Sequence, residues 1–83
     1  MNDHLCGLDT LEPGSSGMVS VLPQDVEKRR RLMALGLVCG TKITAVHTAP
    51  FGDPKAYFFR GTVIALRRSD AENILISPYT EQV

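Results

Sequence analysis

The chain has 83 residues, with 9 basic and 9 acidic side chains and a formal net charge of zero. That length predicts a single domain, one in which roughly 60% of the unfolded chain's surface can be buried, so the core is small. Zero net charge argues against a nucleic-acid binder, which usually carries a basic surplus, and no apolar run approaches the ~18 residues of a membrane span.

The first residues, MNDHLCGLDTLEPGSSG, lack the basic and apolar regions of a secretory signal. Cytoplasmic residence without direct membrane insertion is the resulting expectation, and Cys6 and Cys39 then read as reduced thiols. Residues 1–7 read as a flexible arm, 8–77 as the folded domain and 78–83 as a tail. Leu8 and Leu11 are spaced as one face of a helical turn, which the run Glu12-Pro13-Gly14-Ser15-Ser16-Gly17 breaks. Met18–Leu22 is the first expected strand. Pro23 suits the first turn of a helix, and Asp25 and Glu27 precede Arg29, Arg30 and Arg31 in the order a helix dipole favours. A helix over 24–35 follows, with Val26 and Met33 on one face, Leu32 and Leu35 beside it, and Gly36 as its stop. So short a helix must pack on something.

After the Gly40-Thr41 turn come strands at 42–48 and 56–60, separated by the turn-rich stretch TAPFGDP at 48–54. Gly61-Thr62 allows a reversal into 63–66, 67–73 reads as a helical turn, and 74–77 as a last strand. Tyr57 and Phe59 fall on one face and Phe58 on the other. The fold class expected is mainly β: a small five-stranded barrel with one inserted short helix. Ile74–Ser77 is the candidate edge through which copies of the chain could pair as a homo-oligomer.

Little in the sequence supports catalysis. It has no G-x-S-x-G elbow, no serine or acid partner evident for its two histidines, and no phosphate-binding loop. Asp3, His4 and Cys6 are potential metal ligands in the arm, and His47 and Cys39 are potential partners for a weak divalent site for iron or zinc, though no ligand pair has zinc-site spacing. No cofactor is required. The run Lys28-Arg29-Arg30-Arg31 points around a helix and cannot form one flat phosphate stripe, but it can dock an acidic partner, joined by Arg60, Arg67 and Arg68. Pro50 and Pro54 stiffen a loop carrying Phe51, which either folds back to seal the barrel end or stands out as a hydrophobic finger for a partner.

The stretch RRLMALGLVCGTKITAVHTAPFGDP at 30–54, followed by RGTVIALRR at 60–68, closely resembles the FeoA family, the ferrous iron transport protein A domain. The family pattern is carried by Leu35-Gly36-Leu37, Gly40-Thr41, Ala49–Pro54 and Ala65-Leu66-Arg67, and LDTLEPG at 8–14 looks like the family's opening turn. Cys39 departs from it, standing where proline is common. The resemblance implies an SH3-like barrel with an inserted helix and a noncatalytic, cytosolic accessory to FeoB, a membrane ferrous iron transporter with a cytoplasmic GTP-binding domain. It also implies kinship with modules fused to metal-responsive repressors. The docking surface expected on this reading combines Arg29, Arg30, Arg31, Leu35, Pro50, Phe51, Asp53, Arg60 and Arg67. The rival expectation is a metal-binding sensor or iron carrier using Asp3, His4, Cys6 and His47.

Overall fold

The computed structural model describes residues 5–78. Among these residues six strands, not five, form one antiparallel sheet: β1 (Cys6–Gly7), β2 (Ser16–Val21), β3 (Lys42–Thr48), β4 (Lys55–Phe59), β5 (Thr62–Leu66) and β6 (Leu75–Pro78). Their order across the sheet is β1-β6-β2-β3-β4-β5. The mainly β, SH3-like class stands. Two short helices, α1 (Val26–Ala34) and α2 (Arg68–Ala71), and a 3-10 turn at Leu8–Thr10 complete it.

Three expectations change. Cys6 and Gly7 pair with Ile76 and Leu75, so the end of the expected arm belongs to the sheet, and Pro78 pairs with Gly17, so the sheet also reaches past residue 77. The expected edge at 74–77 is an inner strand flanked by β1 and β2, and the edges are β1 and β5. Two-residue β1 carries no alternation to read, which is why the sequence does not announce it.

The sheet bends at shifts of register between Val19 and Val21 on β2 and between Ala45 and His47 on β3, as bulges do. The 3-10 turn, which follows β1, is fastened to β4. The ammonium of Lys55 donates to the carbonyls of Asp9 and Leu11, both at 2.8 Å, and the Tyr57 hydroxyl donates to that of Leu8 at a long 3.4 Å. Leu8 itself donates to the Ile74 carbonyl at 2.8 Å. Strand alternation then fills the interior with Val19, Ile43, Ala45, Tyr57, Phe59 and Ile76, joined by Leu8, Leu32, Leu37, Ala71 and Ile74. Phe58, one residue out of phase, is 44% exposed.

Local rules set both ends of α1. Asp25 is the N-cap, its carboxylate accepting from the Lys28 amide at 3.1 Å. At the other end the Gly36 amide donates to Met33 and the Leu37 amide to Leu32, with Gly36 at φ +100°. This is a Schellman ending, and Leu37 and Leu32 make its apolar contact inside the core. The expected packing face is wrong. Val26 and Met33 do share a face, but it looks to solvent at 55% and 48% exposed, and Leu35 is also exposed. Val26 and Leu32 lie about 120° apart around a helix with 3.6 residues per turn, too far for both to point straight at the core, and the side bonded to Leu37 wins.

Candidate docking surface

The loop between β3 and β4 is a turn on a turn. Ala49 donates to the Pro54 carbonyl at 3.0 Å, and Gly52 donates back to Ala49 at 2.8 Å. Pro50 and Phe51 are therefore the two central residues of a β-turn, with proline in the position whose fixed φ suits it. Gly52 follows at φ +89°. The base is tied on two sides. The Asp53 carboxylate accepts from the Arg68 amide at 2.8 Å, which caps the start of α2, and Lys55 grips the 3-10 turn. Phe51, at the tip, is 97% exposed. It does not fold back over the barrel end, because the turn that places it leaves it no reach to the core.

Around the base, Arg68 Nε lies 3.8 Å from Asp9 Oδ2. Tyr57 lies buried nearby. Its phenol is pushed from 10.0 up to about 12, first by burial and then by the charges of Asp9 and Asp53. Both effects disfavour the phenolate.

The sequence-predicted docking residues separate into groups. Pro50, Phe51 and Asp53 share one end of the sheet with Arg67, because Lys55 pairs with Leu66. Arg60 lies at the other end of five-residue β4, roughly 17 Å away at the usual strand rise. There it takes φ +51° beside Gly61 at φ +78°, the two-residue hairpin turn between β4 and β5. A Cβ on Gly36 would lie 3.8 Å from Arg60 Cδ, so this is also the Leu35 end of α1. The basic run on α1 is divided as its spacing predicts. Lys28 pairs with Asp70 at 3.2 Å and Arg29 donates to the Pro23 carbonyl at 3.1 Å, while Arg30 and Arg31 are exposed.

The expected metal ligands that fall among the described residues do not converge. Asp3 and His4 lie outside the described residues. Cys6 is exposed on β1 and His47 is exposed on β3. Two strands stand between β1 and β3, a separation of roughly 14 Å at three strand spacings. Cys39 donates its thiol to the Ser20 carbonyl at 3.3 Å. Among the described residues no group of three His, Cys, Asp or Glu side chains could hold a metal ion. Nor is any described helix long and apolar enough to cross a membrane.

The residues that sequence reasoning missed are the loop's anchors. Asp9, Lys55 and Arg68 meet across 46 and 59 positions of chain, and no local pattern marks such a meeting.

The FeoA domain model matches residues 6–78. This chain belongs to the FeoA family. FeoA proteins are small noncatalytic accessory domains associated with ferrous iron transport. Among solved structures, the FeoA-like protein from Clostridium acetobutylicum is 34% identical with a TM-score of 0.85, the match covering 99% of this chain and 95% of that one. The FeoA protein from Chlorobium tepidum is also 34% identical, with a TM-score of 0.84, covering 93% of this chain and 73% of its own. The Stenotrophomonas maltophilia FeoA, an SH3 domain protein solved in complex with zinc, is 31% identical with a TM-score of 0.73 over 84% of this chain and 87% of its own. No curated protein matches the chain.

Proposed function

We propose that this FeoA chain is a cytoplasmic accessory that binds the cytoplasmic portion of a FeoB-type ferrous iron transporter and modulates it. It catalyses nothing itself and requires no resident cofactor. The observation that carries this reading is Phe51, held 97% exposed by a turn with anchored flanks. A chain this small gains nothing for its own fold from such a residue. Burying the ring on a partner is worth about 1.5–3 kcal/mol, and a preformed turn lowers the ordering cost of doing so. Arg67 lies at the same end and adds charge to the contact, while the exposed Arg30 and Arg31 supply a second contact on α1. Modulation requires only that one state of the transporter be bound better than another.

A pull-down against the cytoplasmic portion of FeoB tests this. Phe51→Ala is expected to weaken capture about tenfold to a hundredfold, and reversing the charges of Arg29, Arg30 and Arg31 is expected to weaken it further. Normal capture and normal iron uptake by both variants would remove the surface. The separation of Cys6 from His47 gives no support to an iron-carrier reading built on Asp3, His4, Cys6 and His47.

A further inference from the structure

β5 is a sheet edge, pairing with β4 alone among the described strands. Its hairpin closes with Phe59 opposite Thr62, and in a two-residue hairpin the closing pair exchanges both backbone bonds. Counting by twos, Ile64 and Leu66 also bond toward β4, and the N–H and C=O groups of Val63 and Ala65 point away from it. Among the described residues neither makes a backbone bond to α1 or to a loop. Protein edges are usually guarded by lysine, proline or a bulge. The strand Thr-Val-Ile-Ala-Leu has none of these. A groove of about 260 Å³ separates it from α1, with Leu32 and Leu35 on the helix side and Ile64 and Leu66 on the strand side.

We propose that the β5 edge receives an extended segment of another protein as an added strand, its carboxylates flanking an alternating apolar stretch. Charge selects the occupant. Arg60 precedes the strand, Arg67 follows it and Arg31 lines the groove. None of the three has an ion pair among the described residues. Charge also disfavours a second copy of this chain. The register that uses every outward group, Val63 of one copy against Ala65 of the other, sets Arg60 against Arg68 at both ends. Backbone bonds would supply affinity, and alternate side chains would enter the groove. This surface shares Arg67 and Arg31 with the transporter contact proposed above but does not include Phe51, and the inference does not require the partner to be a transporter.

The test uses the full chain and a short synthetic peptide in which Val and Thr alternate between terminal Glu residues, with a Lys-ended version as comparison. The Glu-ended peptide is expected to slow amide hydrogen exchange at Val63 and Ala65, and the Lys-ended one to bind at least about tenfold more weakly. Ala65→Pro removes only an outward amide, which an edge tolerates, and is expected to weaken binding about tenfold. Arg60→Asp keeps a residue suited to positive φ in the turn and is expected to erase the preference for Glu ends. The last variant decides the matter even if the proline variant does not fold. Unchanged exchange at Val63 and Ala65, or equal binding of both peptides, overturns the proposal. So does a wild-type dimer in sedimentation that Ala65→Pro converts to monomer, which would make the occupant a second copy. The peptide carries no transporter sequence, so its failure leaves the Phe51 reading standing, and loss of transporter capture leaves this one standing.

Discussion

Replacing Leu8 by alanine is the sharpest test of how the barrel is closed. Leu8 is wholly buried, its amide bonds Ile74 and its carbonyl accepts from Tyr57. Truncation keeps both backbone bonds and empties most of one side-chain volume from the core. Buried leucine-to-alanine changes cost about 2–5 kcal/mol. At ~0.05–0.15 kcal/mol per residue, a chain of 83 residues has about 4–12 kcal/mol in total. A loss of ~3 kcal/mol is therefore a large share of it and, at ~4–8 °C per kcal/mol, lowers Tm by roughly 12–24 °C. Thermal and urea unfolding followed by circular dichroism would read it, with Phe51→Ala as the reference, since a fully exposed side chain changes stability within about 0.5 kcal/mol. If the two variants melt together, the segment before β2 is a loose cover and the closure described above is wrong.

Alkali should weaken the fold through Tyr57. Its phenol ionises near 10.0 when unfolded and near about 12 when folded. Stability from this group is thus complete below the lower value and is lost as pH rises between the two, at up to ~1.4 kcal/mol per pH unit. Tyr57→Phe should flatten that decline, and tyrosinate absorbance in a Tyr79→Phe background should titrate late. Lys55→Met should cost about 2 kcal/mol by removing charged bonds to the Asp9 and Leu11 carbonyls. In native-state hydrogen exchange it should release the Leu11 amide before the strands. Equal exchange of that amide in wild type and variant would refute the anchoring role.

Short-range features of the fold were legible. Gly36 stops α1 as expected because that ending is settled within a few residues, whereas the helix starts at Val26 with Asp25 as its N-cap, two residues past the expected 24, and β3 has the bounds its composition predicts, Lys42–Thr48. Period-two alternation places Tyr57 and Phe59 inside and Phe58 outside. The β4–β5 reversal sits one residue earlier than expected because Arg60, and not Thr62, accepts positive φ. The less legible parts depend on distant partners. Two residues of β1 mean nothing until β6 arrives. Which stripe of α1 faces inward depends on Leu37 and on Asp70, and the fate of Phe51 depends on whether its loop is fastened at the base. At the candidate site, the exposed arginines and the proline-stiffened turn were evident, but their distribution over opposite ends of β4 follows from hairpin register, which the residue types alone do not reveal.

The position of β6 has a consequence for synthesis. Residues 75–78 join the first strand to the second, so a chain still short of them leaves β1 detached and one side of β2 open. Four strands can pair early on the ribosome, but the seam closes only after residues 75–78 have cleared the exit tunnel. Completion is therefore a late event dominated by contacts between residues far apart along the chain, the slow kind. Until then the nascent protein presents two raw strand borders where the finished domain's seam has none.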